Sequence, residues 1–287
     1  MLNLALSVIF STLIFIIFKL FDRYKIQTLY AIITNYLVAC IVGLLLYQNP
    51  NAIFTIPKKP WFLGTLALGL LFIVVFNLMA TTAQKVGVSV ASVATKMSFV
   101  IPVIVGLALY NEQSGFLKMA GILLAMAAVY FTSKKDSNIS FNPKVLILPI
   151  LVFLGSGIID ATLHYMQKNY VAPEEFSLFS STVFGSAAAI GILFILFKAT
   201  KKPLQINVKN ITGGIVLGIP NFFSIYFLLK ALDSPNLNSA SIFTINNVAI
   251  VLFSTVLGIL LFKEKITAKN WLGIALAILS ITLVAIG

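Results

Sequence analysis

Of the 287 residues, 60% are hydrophobic and only 10% charged, and the mean hydropathy is +1.04. A soluble domain is roughly half apolar and a quarter charged, so a water-soluble globular fold is excluded and the bilayer is left as the solvent. The net charge of +12 would suggest nucleic acid on a soluble protein. Here the basic residues are scattered between apolar runs, as at Lys134-Lys135 and Lys201-Lys202. They read as flanking charge that anchors helix ends against anionic lipid, and no nucleic-acid partner is expected.

A membrane-spanning helix needs roughly 20 mostly apolar residues. Taken in chain order, apolar runs predict ten spans at about 2–20, 28–47, 61–83, 88–110, 115–132, 144–167, 175–197, 211–232, 237–262 and 268–286. The first lacks a basic leader region and a small-residue cleavage site, and reads as a retained helix rather than a signal peptide. The second holds the single cysteine, Cys40, which cannot form an internal disulfide and reads as a small packing residue. The eighth is interrupted by Gly213-Gly214, Gly218 and Pro220, a pattern that fits a hinge, an unwound binding segment or a static kink. The connections are short. The most polar one, Ser133 to Asn142, divides the chain into a first unit at 1–132, a linker at 133–143 and a second unit at 144–287.

The two units match one another. Glu264 stands 152 residues after Glu112, and the same offset carries Ser89 onto Ser241, Gly106 onto Gly258, Gly121-Ile122 onto Gly273-Ile274 and Leu124-Ala125 onto Leu276-Ala277. Five spans per unit is an odd number, so the second unit enters the membrane inverted. Inverted repeats recur in secondary transporters, with the substrate site near the midplane between them. The expected fold is therefore an all-α polytopic membrane protein of ten transmembrane helices in two inverted five-helix repeats.

The run Thr82-Ala83, Val88, Ala91-Ser92, Pro102, Gly106, Glu112 and Gly121 resembles the EamA repeat of the drug/metabolite transporter superfamily. Asn238, Ala240, Gly258, Glu264 and Gly273 resemble a second, weaker copy, in which Ser254 stands where the first has Pro102. The resemblance covers the whole chain. It implies ten helices that move small metabolites, often amino acids, usually outward, and it names no substrate.

Several polar residues stand inside apolar spans. Lys96 lies about 12 Å into the fourth span, eight residues past Val88 at 1.5 Å each. A charge at that depth faces a cavity or a partner, unless it snorkels to the nearer interface. Asp160 and His164, four residues apart, share a face of the sixth span. The fourth and sixth spans run in the same direction, which makes a Lys96–Asp160 pair geometrically feasible. His164 is the only histidine, and reads either as a working group or as a hydrogen-bonded packing residue. Asn77, Asn221, Asn246 and Asn247 line a cavity between the units on one reading and bond helices together on the other. Asn35 is assigned to packing. Tyr226, with Phe76, Phe222 and Phe223, either lines a pathway or packs. Glu112 and Glu264 read as end-of-helix capping groups. Gly121-x-x-x-Ala125 and Gly273-x-x-x-Ala277 read as close-packing faces, within or between subunits.

No enzyme is expected. One His and one Cys cannot build a metal cluster, no GxxxxGK[ST] phosphate loop is present, and no catalytic residue, metal or cofactor is assigned. The expected function is a secondary active transporter, an exporter of small metabolites such as amino acids across the plasma (inner) membrane by alternating access, with proton coupling through Asp160. The alternatives are a flippase for a lipid-linked substrate and, in a different class, a membrane-embedded lipid-modifying enzyme. The expected partners are a small-molecule substrate and membrane lipids; monomer and homodimer both stay open. Orientation stays open as well. The loop census of Lys and Arg puts both termini outside by the positive-inside rule, whereas the resemblance implies both in the cytoplasm.

Overall fold

The computed structural model describes residues 2–47, 50–102, 104–105, 115–133, 143–199, 207–232 and 239–286. Within them the backbone is helical and no strand is present. In lipid a helix satisfies its own backbone polar groups, which an open strand cannot do. Ten α-helices are found among the described residues: α1 Leu2–Arg23, α2 Thr28–Leu46, α3 Phe62–Lys85, α4 Val88–Met97, α5 Phe116–Ser133, α6 Pro143–Tyr170, α7 Phe176–Ala199, α8 Val208–Leu232, α9 Ser239–Phe262 and α10 Ala268–Ile286. Short 3₁₀ turns at Pro50–Lys58 and Pro173–Glu175 precede α3 and α7.

Each expected span carries a helix. Six contain a stretch long and apolar enough to cross a membrane, in α1, α2, α3, α7, α8 and α9. The apolar stretches Val88–Pro102, Met119–Thr132, Ile147–Leu163 and Ala268–Val284 are shorter. Large apolar side chains such as Leu45, Leu63, Leu123, Leu193, Phe197 and Leu260 are exposed on the outer surface. In water such a surface would be an aggregation patch; in a bilayer it is the lipid-facing side. The molecule is an integral, multi-pass membrane protein.

Helix starts follow the local sequence. Asn207 precedes α8 and its Oδ1 accepts the Asn210 N–H at 2.9 Å. Thr267 precedes α10, where its Oγ1 accepts the Asn270 N–H at 3.2 Å while Asn270 Oδ1 accepts the Thr267 N–H at 3.0 Å. These are reciprocal caps on otherwise orphaned donors.

Two expectations about helix interiors change. The fourth span, expected to run through 110, is α-helical only to Met97. A turn follows at Ser98-Phe99, and helix resumes at 100–102. Pro102 has no N–H to give the Ser98 carbonyl, which instead accepts the Ile101 N–H at 2.9 Å in a tighter turn. The eighth span, read as a hinge, an unwound segment or a static kink, is one continuous helix with Pro220 inside it, which removes the unwound segment. Its glycines serve packing. A Cβ at Gly214 would lie 2.6 Å from the Ala31 carbonyl, and one at Gly218 would lie 2.8 Å from the Asn35 carbonyl, so both allow α8 to lie directly on α2.

The glycines of α5 and α10 also resolve an alternative. A Cβ at Gly121 would lie 3.0 Å from the Ser280 carbonyl and would collide with Val284; one at Gly273 would lie 2.9 Å from the Ala128 carbonyl and would collide with Thr132. These faces join two helices of the same chain, and Ser280 Oγ donates to the Gly121 carbonyl at 2.7 Å across the seam. Elsewhere α1 packs on α8 and α9, α6 on α3 and α4, and α2 on α7 and α8. The linker at 133–143 lies outside the described residues apart from its two ends, as do Gly106, Asn111, Glu112 and Asn238.

Candidate functional site

The break in α4 places polar groups at a point where the chain is otherwise apolar. Ser98, at the break, donates from Oγ to the Thr95 carbonyl at 2.5 Å and lies 3.4 Å from Asp160 Oδ2 on α6. Lys96 sits one residue before the last turn of α4 ends and is half-buried. Its charge and that of Asp160 act on one another, yet no ion pair within 4.0 Å joins them; Lys59 and Glu175 form the one salt bridge among the described residues. The expected Lys96–Asp160 pair is therefore an opposed pair of charges rather than a contact. Asp160 retains exposed surface.

One turn before Asp160, Ser156 is buried at 6% exposure and its Oγ has no hydrogen-bond partner among the described residues. Other serines, Ser181 and Ser224 among them, satisfy themselves on a carbonyl three or four residues back. Native structures rarely leave buried polar groups unpaired, and Ser156 shares a helix face with Asp160, four residues on. His164 follows one turn beyond Asp160; its side chain lies outside the described residues.

The other expected site residues fall into separate groups. Asn246 on α9 is buried, and its Oδ1 lies 3.1 Å from Ser7 Oγ on α1, which also lies 2.9 Å from the Ser224 carbonyl. One hydroxyl proton serves one acceptor at a time; turning the amide over makes Asn246 the donor to Ser7 and satisfies both. Asn247 is buried next to it. Asn221 on α8 donates to Asn35 Oδ1 at 3.1 Å, while Asn35 Nδ2 finds no partner among the described residues. Asn77 on α3 is half-buried and donates to the Ile73 carbonyl of its own helix at 2.7 Å. Tyr226 stacks on Phe222 with ring centroids 6.0 Å apart, and Lys230 Nζ lies 4.7 Å from the centre of its ring. Phe76 packs edge-on against Phe18. Of the expected residues, then, Lys96 and Asp160 share one location, Asn246 and Asn221 are each taken up in an interhelical pair, and Tyr226 belongs to an aromatic cluster.

Sequence reasoning missed Ser7, Ser98 and Ser156. A serine in an apolar span carries almost no signal by itself. The available clue was spacing, since Ser156 stands four residues before Asp160 and so shares its face.

Outside the apolar segments, Lys59 and Trp61 at the start of α3 both reach Glu175 at the start of α7. Lys59 Nζ forms the salt bridge, and Trp61 Nε1 donates to Oε2 at 3.0 Å. These two hydrogen bonds, with Lys59 the stronger influence, hold the Glu175 carboxyl below the ordinary glutamate range.

Comparison with known proteins agrees with this architecture. The model of the EamA-like transporter family matches residues 1–134 and 147–286. A protein of Haemophilus influenzae described only as uncharacterized is 28% identical over 288 residues, spanning 97% of this chain and 96% of its own. One protein of known crystal structure superposes with a TM-score of 0.62 over 98% of this chain and 94% of that one; at 11% identity the likeness concerns the fold alone. Proteins of the matched family are transporters rather than enzymes, and with both stretches of the chain matched, this protein is a member of the EamA-like transporter family.

Proposed function

We propose that the protein is a secondary active transporter that exports small polar or amphipathic metabolites, such as amino acids, across the plasma membrane by alternating access. The observation that carries the reading is the α4–α6 junction. There Lys96 and Asp160 oppose one another without contact, beside a broken helix and an unmet hydroxyl. Ionisable groups inside a membrane protein are costly and mark solute or ion pathways. Discontinuous helices at such depth are tolerated where they line a cavity. The exposed surface of Asp160 belongs on that account to a water-filled path, since a carboxylate facing hydrocarbon would be far less stable. Both charges remain free to meet a solute, and Asp160 is the group through which a proton would be coupled.

The packing pattern supports two inverted five-helix repeats, residues 1–132 and 144–287, as the frame for this motion. α1 meets α9 as α6 meets α4, and α1 meets α8 as α6 meets α3. The α5–α10 seam is reciprocal. Gly121 faces positions 280 and 284, Gly273 faces 128 and 132, and all three correspondences share the offset of 152 residues.

The test is flux through purified protein in proteoliposomes, with a panel of amino acids and other small metabolites and with and without a pH gradient. Saturable counterflow of a zwitterionic or charged solute, abolished by Lys96→Gln, is the expected result. Solute flux undiminished in Lys96→Gln would remove the α4–α6 junction from the pathway.

A further inference from the structure

The connection after α9 is shaped to deliver one carboxylate. Lys263, the first residue past the helix, adopts φ of +53°. That left-handed conformation is uncommon for a residue with a Cβ, and it turns the chain back over the helix end, where the Glu264 N–H donates to the Gly258 carbonyl at 3.2 Å. The Glu264 side chain then crosses to α4. Its Oε1 accepts the Val88 N–H at 2.7 Å, and its Oε2 accepts the Ser89 hydroxyl at 3.1 Å. α4 thus has its N-terminal donors met by an acid from the opposite end of the sequence, where the helix dipole also favours negative charge.

Two glycines make the space. A Cβ at Gly258 would stand 2.8 Å from Glu264 Oε2, and one at Gly87 would stand 3.1 Å from the same atom. Gly87 also has φ of +148°, open to glycine but rarely to other residues. A chain of hydroxyls leads inward from the carboxylate. Ser92, one turn below, donates to the Ser89 carbonyl at 2.9 Å, and Ser254 of α9 donates to Ser92 Oγ at 2.6 Å. Ser92 and Ser254 are both fully buried. At this end of the molecule the α4–α9 crossing is therefore shut, and its outermost fastening is Glu264.

We propose that Glu264 is a latch: its carboxylate ties the start of α4 to the end of α9, holds their crossing closed at this end, and must let go for the protein to open there. The latch belongs to the alternating-access reading above, because a protein that never opened at this end would need no releasable fastening. A cap that stabilised α4 alone would come from its own neighbouring residues, as at α8 and α10. This one spans 176 positions of sequence and joins the two stretches matched by the family model.

The test reads conformation directly. In a Cys40→Ser background, a single Ser92→Cys thiol lies behind the latch and is labelled with a water-soluble, membrane-impermeant maleimide in proteoliposomes, with thermal unfolding as the check on folding. With Glu264 intact, labelling is slow. Glu264→Ala is expected to raise the rate about tenfold, the loss of charge-assisted hydrogen bonds. Gly258→Ala, which crowds the carboxylate aside without removing it, is expected to raise it in the same direction, and Glu264→Gln, which keeps one acceptor, by less. A labelling rate unchanged in Glu264→Ala overturns the latch. So does a rise matched by a loss of thermal stability in Glu264→Ala with no rise in Gly258→Ala, which would make Glu264 a folding element. The assay uses no solute, so a failure to find flux would strike the transport reading and leave the latch to stand or fall on labelling.

Discussion

Two junctions of similar build differ in chemistry. Where α1 meets α9, Ser7, Asn246 and the Ser224 carbonyl form a closed set, and both side chains are buried at 0% and 1% exposure. Where α6 meets α4, Ser156 has no partner among the described residues, Asp160 keeps exposed surface 3.4 Å from a Ser98 hydroxyl already given to the Thr95 carbonyl, and no ion pair joins it to Lys96. The first junction spends its polar groups on holding helices together, as polar residues in membranes commonly do. The second leaves them unspent. Polarity inside a span therefore does not mark a pathway by itself; the mark is polarity that the protein has not already satisfied.

This contrast can be broken by substitution. Asn246→Ala should be the most damaging change to stability, by about 2–3 kcal/mol, since it opens a void and strips Ser7 of a partner. Unfolding of the detergent-solubilised protein would show it. Ser7→Ala should cost about 1–2 kcal/mol by leaving Asn246 short of a partner. Ser156→Ala, in the other junction, should move stability by less than about 0.5 kcal/mol, because no bond is lost. Equal costs for Ser7→Ala and Ser156→Ala would erase the distinction between the junctions. The smallest effect should come from Lys59→Met, outside both junctions. It removes a partly exposed salt bridge worth a few tenths of a kcal/mol. Because Lys59 lowers the Glu175 pKa, its contribution is present at neutral pH and is lost as pH falls below the ordinary glutamate range. Stability of wild type and Lys59→Met should accordingly converge in acid.

Much of this was legible in the sequence. Among the described residues each predicted apolar run carries a helix, and six of these hold a stretch long and apolar enough to cross a membrane, because a span must satisfy its own backbone and hydropathy records that requirement. Gly121 and Gly273 were legible as packing faces because small residues at fixed spacing have one common use in lipid. The break at Ser98 was not foreseen, although Pro102 was in view. Proline can kink, break or be absorbed, as Pro220 is in α8, and the neighbours decide which. The glycines of α8 misled for the same reason: flexibility and close approach leave the same letters in the sequence, and only α2 lying against Gly214 and Gly218 separates them. Glu264 was legible as a cap, but not as the cap of a helix 176 positions away. At the site, Lys96 and Asp160 stood out by charge. The serines that distinguish the junctions did not, since a hydroxyl's meaning lies in whether it has a partner.

The central claim is that solute passes the α4–α6 junction and not the α1–α9 junction. Its most direct test is flux per folded molecule in proteoliposomes for Asp160→Asn beside Ser7→Ala, using a solute that the unaltered protein carries. The account predicts a loss of at least about tenfold for Asp160→Asn, equivalent to 1.4 kcal/mol, with the dependence of flux on pH lost as well. Ser7→Ala should stay within about twofold of the parent despite its lower stability. Flux at the parent rate and with the parent pH dependence in Asp160→Asn would contradict the claim and leave Asp160 a structural residue.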